Sequence, residues 1–323
     1  MSFDYRSWTT SPGIGGRIEK PEDFVVKEIL SNRYTKFSRT SSGMSKTQGK
    51  NTLCLLKKRG VTTRAAIEIV SKELGINRND IGYAGLKDKF AVTEQYVTIR
   101  NRRIENIELG DLSLSFIGMT DKFMPKGDLE GNKFFITLHG CKAEKTGMKV
   151  KEILSKPMPN YFGLQRFGKD GNNHVIGRFL VKRDFDRALF LINEQYKRNY
   201  VKINQVPKEK LKFFVNSYQS FLFNEALNEL IKKGKKAGKT AIFGFGTGIN
   251  NAIVKKIAAR EGITPESFRF SELGFSCSGS TRDAFIKLAG LTYSSEGDTV
   301  RLGFSLPKGS YATVLINELR GDQ

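Results

Sequence analysis

The segment Gly82–Gln95, GYAGLKDKFAVTEQ, holds the residues of this chain best suited to chemistry. Its two glycines permit tight backbone geometry, and Asp88 stands between Lys87 and Lys89. Flanking cations keep a carboxylate ionised and draw an anionic partner toward it, as a nucleophile or base acting on a nucleotide requires. The same triplet also suits a solvated turn, so the segment does not by itself define a site. Other chemistries have few candidates. With His139 and His174 the only histidines, an imidazole metal site or a Ser/His/Asp triad has little to draw on. Cys54, Cys141 and Cys277 lie far apart without a CxxC pair, which argues against zinc and disulfides and suits a reducing cytoplasm. Phe243–Gly248, FGFGTG, lacks both the GxGxxG spacing and a GK[ST] ending and reads as a turn.

The charge balance points to the partner. Lys and Arg number 54 against 33 Asp and Glu, a net charge of +21 over 323 residues. That excess goes well beyond what solubility requires. Nucleic acid fits it, because a broad positive surface recruits phosphates by counterion release. Apolar residues make up 39% and include 24 Phe, enough for a packed core, and the length suits two domains. No apolar run approaches the roughly 18 residues of a membrane span, and the first residues carry no signal-peptide core.

Around the Asp88 segment the pattern predicts a helix and several short strands. Thr62 or Thr63 caps a helix with Ala66, Ile67, Val70 and Leu74 on one face and Gly75 as its stop. Strand alternation is read over Phe24–Ile29, Tyr96–Arg100, Leu112–Phe116, Phe134–Leu138 and Thr299–Pro307. A long helix runs from Asn216 toward Gly234, and a short one capped by Ser310 closes the chain. The polar, basic stretch 38–50 and the lysine-rich run 232–239 read as solvated surface.

The segment around Asp88 resembles, almost letter for letter, the signature GxAGxKDKxAxTxQ of TruD-type pseudouridine synthases. Further blocks follow in the family's order: KPEDFVVKEI (Lys20 to Ile29), GNKFFITL (Gly131 to Leu138), PNYFGLQRFG (Pro159 to Gly168), SYQSFLFN (Ser217 to Asn224) and LPKGSYAT (Leu306 to Thr313). The resemblance implies an α+β fold. A catalytic domain with a mixed, mainly antiparallel sheet flanked by helices would be formed from residues 1–156 and 282–323, and an inserted α/β TRUD domain from residues 157–281.

The resemblance also implies roles. Asp88 matches the catalytic aspartate, Phe134 the aromatic residue that looks onto the target base, and Asn132 the asparagine of the same NxF block. A flipped uracil does need a flat apolar surface and a polar group for its edge, although Phe134, Ile136 and Leu138 equally suit the core of a strand. Phe134 and Asp88 are expected to share one cleft between the two domains, into which the target base flips, with the Phe134 strand beside the strand that follows Gln95. Lys87 and Lys89 would draw the RNA backbone, and Arg166 and Gln165 would touch RNA or support the site. Asn160 suits either RNA contact or a domain junction. Arg17 and Lys20 both stand where relatives carry a basic residue before PEDF, and Phe90 occupies a position that varies among them.

Pseudouridine formation breaks the N1 to C1′ bond, turns the retained uracil and joins C5 to C1′, so no cofactor or metal is implied. Asp88 would attack C1′ or C6, or remove the 2′ proton. The implied substrate is tRNA at uridine 13 in the D-arm region, with precursor tRNA or another structured RNA as variants. The implied protein is a cytoplasmic monomer with no obligatory protein partner and no membrane attachment. The competing class is a noncatalytic RNA-binding protein or RNA chaperone that retains the fold.

Overall fold

The computed structural model describes the chain except residues 1–4, 36–38, 41–42, 45–48, 235–237, 249–250 and 322–323. Most of the basic stretch 38–50 and part of the run 232–239 therefore lie outside the described residues. The chain divides into two compact units. Pro12–Leu154 and Leu288–Ala312 form the first; Ser155–Lys287 with the stretch ending at Ser11 and the stretch from Thr313 onward forms the second.

The first unit is built on a ten-stranded sheet. Its strands are β1 (Gly15–Arg17), β2 (Phe24–Leu30), β3 (Asn51–Arg59), β4 (Ile81–Tyr83), β5 (Val92–Ile99), β6 (Ile107–Leu109), β7 (Leu112–Thr120), β8 (Leu129–Cys141), β9 (Ala289–Glu296) and β10 (Thr299–Pro307). The spatial order is β9-β10-β8-β2-β5-β3-β7-β6, with β1 on β8 and β4 on β5. Among the described residues only β2 and β5 pair in parallel; every other pairing in this sheet is antiparallel. The strand carrying Phe134 thus has β2 between it and β5, rather than lying directly beside the strand that follows Gln95. The hydrophobic run before Glu28 makes β2 a good interior strand, and it takes the central place.

Helix α1 (Thr63–Leu74) packs on one face of this sheet. The Thr62 hydroxyl oxygen accepts from the Ala65 amide, and Gly75 ends the helix in the left-handed region at φ 61°. Ala66, Ile67 and Val70 are buried against Cys54, Leu56, Val97 and Ile99. Removing the larger of these side chains from water contributes about 1.5–3 kcal/mol each, so a charge at Val70 would detach the helix. At Gly131 a side chain has no room: its Cβ would collide with the Leu306 carbonyl oxygen across the β8–β10 pairing. That is a physical reason for the glycine that opens GNKFF.

The second unit is mainly helical. The helices α3 (Asn173–Val181), α4 (Phe185–Tyr196) and α6 (Ala252–Glu261) surround α5 (Lys208–Lys232), with α2 (Thr146–Ser155) leading into the unit and α7 (Ala312–Arg320) closing the chain. Helix α5 starts eight residues before the Asn216 expected from sequence (216 − 208), because Leu211, Phe214 and Val215 extend its buried surface. It buries aromatic and aliphatic residues around most of its circumference, including Tyr218, Phe221, Leu222 and Phe223. Short antiparallel ladders join Lys239–Ile242 to Ser280–Asp283 and Met158–Pro159 to Phe285–Ile286. The two chain ends meet here: the Ser7 hydroxyl donates to Glu318 Oε1 at 2.7 Å and the Thr9 amide does so at 3.0 Å. Phe243–Gly248 is a turn closed by the Thr247 hydroxyl and the Gly244 carbonyl, 2.8 Å apart. Among the described residues no helix is long and apolar enough to cross a membrane.

Candidate active site

Alternation along the strands decides which side chains share a face. Phe24, Val26 and Glu28 of β2 stand on one face and lie directly opposite Ile136, Phe134 and Asn132 of β8. On the other side of β2, Val26 is level with Thr93 of β5, and Thr93 is level with Lys58 of β3. Among apolar neighbours this face buries Lys58, Thr93, Gln95 and Glu28 in adjacent strands, with half-buried Asn132 opposite Glu28. Buried polar groups need partners. Most of them find those partners in the loop between β4 and β5, which contains Asp88.

That loop is pinned at successive residues. The Thr63 hydroxyl accepts from the Lys87 amide at 2.8 Å and donates to Gln95 Oε1 at 2.9 Å. Gln95 Nε2 in turn donates to the Gly85 carbonyl at 3.3 Å. The glutamine that ends the signature therefore folds back onto its second glycine, which accounts for their ten-residue spacing. Lys87 turns inward, where its ammonium meets Glu28 Oε2 at 3.0 Å and Asn132 Oδ1 at 2.5 Å. Burial pushes the Glu28 carboxyl above the usual carboxylate range against the opposing pull of Lys87. Lys58 Nζ donates to the carbonyl oxygens of Val61 at 2.8 Å and Asp88 at 2.7 Å. The result is a loop anchored from beneath, with Asp88 itself exposed and Leu86, Lys89 and Phe90 exposed around it.

The expected residues fall into distinct places. Asp88, Lys87 and Asn132 come together, but Lys87 serves as an internal tie rather than a surface cation. Lys89 is exposed beside Asp88. Phe134 is buried, with 6% exposure: its ring stacks on Phe304 at 5.3 Å between centroids and meets Phe24 edge-on at 6.3 Å. The open stacking surface expected for it is thus replaced by a core position on the face shared with Asn132. Arg17 ion-pairs with Glu19 at 2.7 Å, and β1 places it opposite His139. His139 lies seven residues, or about 23 Å along β8, from Asn132. Lys20 begins the turn into β2, its carbonyl accepting from the Asp23 amide at 3.0 Å. Neither Arg17 nor Lys20 enters the Lys87, Glu28 and Asn132 network.

Gln165 and Arg166 belong to the helical unit. Gln165 is exposed; Arg166 is half-buried, its Nε donating to the Ser220 hydroxyl at 3.1 Å and its guanidinium lying 5.9 Å from the rings of Phe162 and of Phe213. Asn160 is buried and binds the local ladder: its Oδ1 accepts from Arg282 at 2.6 Å and its Nδ2 donates to the Asp283 carbonyl at 2.9 Å. Among the described residues there is no group of three or more His, Cys, Asp or Glu side chains able to hold a metal ion.

Four residues of this arrangement were not singled out by sequence as site residues: Glu28, Lys58, Thr63 and Gln95. Their signals are present in retrospect. Glu28 follows Phe24 and Val26 on the buried face of its strand, and Lys58 follows Leu56 on the same face of another strand. A charge in phase with buried apolar residues marks a group retained for its interactions.

Comparison with known proteins places the whole chain in one family. The family model of tRNA pseudouridine synthase D (TruD) matches residues 4–199 and 237–319. A "Probable tRNA pseudouridine synthase D" of Thermococcus sibiricus is 27% identical, with 99% of this chain and 98% of that protein covered. A tRNA pseudouridine synthase D of Aquifex aeolicus is 28% identical, covering 93% and 97%. The crystal structure of a "Putative tRNA pseudouridine synthase D (TruD)" from Methanosarcina mazei superposes with a TM-score of 0.72 at 24% identity, over 98% of this chain and 96% of that one. With the signature loop anchored on the sheet and the family match running through both units, the chain belongs to the TruD family of tRNA pseudouridine synthases.

Proposed function

We propose that this protein converts uridine 13 of tRNA to pseudouridine, with Asp88 as the essential carboxylate and the target base flipped out of its stack. The observation that carries this reading is an exposed aspartate on a loop held at Gly85, Lys87 and Asp88 from the sheet side. Such anchoring fixes the carboxylate before substrate arrives, and pre-organisation of this kind lowers the barrier of a step that needs close approach to the ribose or base. Attack at C1′, attack at C6 and removal of the 2′ proton all require that same placement.

The other roles follow from position. Lys87, Glu28 and Asn132 hold the loop, and Lys89 is the cation beside Asp88 that faces solvent and phosphate. Arg64, Arg78 and Lys126 line a groove with Tyr83 and Phe123, a mixture of cations and rings suited to a nucleic-acid backbone and its bases. Arg166 and Gln165 are assigned to RNA contact from the helical unit. The catalytic domain of this reading is discontinuous, residues 1–156 with 282–323, and residues 157–281 form the insert, although the stretches ending at Ser11 and starting at Thr313 group with the helical unit.

The test is to incubate tRNA transcripts with this protein alone and map pseudouridine by nucleotide. A single new pseudouridine at position 13 is expected. Bound RNA with every uridine unchanged would favour the noncatalytic RNA-binding reading, and modification confined to another position would remove the assignment to uridine 13.

A further inference from the structure

We infer that Lys58 is a positioning residue for Asp88, tying the aspartate's main chain to the sheet so that the carboxylate is held outward. The inference rests on the assignment of Asp88 proposed above. Lys58 is the middle residue of Lys57, Lys58 and Arg59 at the end of β3, and alternation leaves its two neighbours exposed while its own side chain is fully buried. A buried ammonium is costly unless its donors are satisfied. Here they go to two main-chain carbonyls from separate loops, Val61 ahead of α1 and Asp88 itself.

This contact differs from the other anchors of the loop. Thr63 and Gln95 fix Lys87 and Gly85, which precede the aspartate. Lys58 fixes the aspartate's own peptide, so it alone among these anchors restrains the backbone from which the carboxylate hangs. The ammonium and the Asp88 carboxylate also attract each other, and Lys87 repels the ammonium. Glu22, Arg59, Glu108 and Asp111 line the same depression as Lys58, so the local field is mixed in sign and does not by itself explain a lysine there. The geometric role does: an unbranched chain with a donor head reaches both loops, and no apolar residue does.

Lys58→Met keeps the stem and removes the donors; Lys58→Arg keeps charge and donors; Lys58→Gln keeps a shorter donor. If Lys58 positions Asp88, the Met variant loses about 100-fold in kcat, the scale of an ångström-sized misplacement. Its KM and its affinity for tRNA stay within about threefold of wild type, and Arg restores part of kcat. Should the Met variant be unfolded at the assay temperature, the Gln variant is read in the same way. Turnover within about threefold of wild type in a folded Met or Gln variant overturns the proposal. So does a loss of binding and turnover together that tracks the folded fraction, which would assign Lys58 to fold stability alone. Asp88→Asn is run in parallel. An active Asp88→Asn protein defeats the underlying assignment, whereas an inactive one beside an active Lys58→Met protein defeats only the role of Lys58.

Discussion

In the helical unit, Glu261 is buried at the end of α6, and both the Arg178 guanidinium and the Tyr218 hydroxyl donate to its Oε2 at 2.8 Å. In the sheet unit, Glu28 is buried beneath Lys87, and Lys58 is buried beneath Asp88. Both regions place ionisable groups in the core, but they connect them differently. Glu261 joins side chains of three helices and raises the pKa of the Tyr218 hydroxyl, whose burial is the larger cause. Lys58 and Glu28 instead end on a loop, at the Asp88 carbonyl and the Lys87 ammonium, and Asp88 is exposed there. Buried charge in the helical unit cross-links the fold, whereas in the sheet unit it supports one exposed carboxylate. Perturbed groups gather at functional sites, and here the destination of their hydrogen bonds separates the candidate site from a structural tie.

The most severe way to test that contrast is Asp88→Asn. The substitution removes charge from an exposed side chain, so the melting temperature and tRNA affinity should change little. Turnover should fall at least 10³-fold, equivalent to about 4 kcal/mol of lost transition-state stabilisation. Single-turnover assays at saturating enzyme read this directly, and residual turnover within tenfold of wild type would return the Lys87, Asp88 and Lys89 triplet to a solvated turn.

Phe134→Ala probes the boundary between site and core. With the ring packed between Phe24 and Phe304, its removal should cost about 3–5 kcal/mol of stability. The melting temperature should fall while the folded fraction keeps most of its turnover. A protein of unchanged melting temperature that has lost activity would restore Phe134 as a base-contacting residue and contradict its place in the core.

In the helical unit the expected effect is smaller and wholly structural. Glu261→Ala leaves the buried Tyr218 hydroxyl and Arg178 without their acceptor, at about 2–3 kcal/mol. Thermal unfolding should register this, and kcat on tRNA well below the transition should not. A selective loss of kcat would mean that the helical unit's buried charges also serve catalysis.

What the sequence revealed follows from how local each signal is. Helix α1 is legible because Thr62, Gly75 and the apolar stripe lie within one segment, and the observed bounds match the expected cap and stop. Strand β10 is equally local. Strand β3 is not: it holds the run Leu53–Leu56, buried between two neighbours, and then turns polar, so neither simple alternation nor helical spacing describes it. Missing β3 hides Lys58, because nothing then assigns the lysine a face. The Asp88 loop is legible as a candidate through its motif, but what anchors it is not. Glu28, Lys58 and Asn132 come from three strands, and only register brings them to one loop. The burial of Phe134 is hidden for the converse reason: its place in a motif carries no information about Phe304, 170 residues away (304 − 134), which covers its ring.

The smallest effect is the pH dependence of Lys58. Desolvation lowers its pKa from 10.5 to about 8, with Asp88 opposing and Lys87 adding to the shift. The unfolded chain therefore binds more protons than the folded one between about pH 8 and 10.5, and in that window stability rises with pH. Below pH 8 the buried charge imposes its full cost, and deprotonation relieves it. Between pH 8 and 9.5 the gain should be on the order of 1 kcal/mol, from about 1.36 kcal/mol per unit reduced by the gradual onset of titration and by solvent screening. Many surface lysines begin to titrate in the same range and ease the repulsion of a +21 chain, so wild type alone cannot isolate the effect. The difference between wild type and Lys58→Met, measured by denaturant unfolding at several pH values, removes that common background. It should shift in favour of wild type as pH rises. A neutral amine retains two N–H donors, enough for Val61 and Asp88, so turnover of the wild type should persist through this window if geometry is what Lys58 contributes. A stability difference that stays flat with pH would mean that the ammonium is better solvated than its burial implies. Loss of turnover near pH 8 that Lys58→Arg abolishes would instead place the charge of Lys58, and not only its reach, in the support of Asp88.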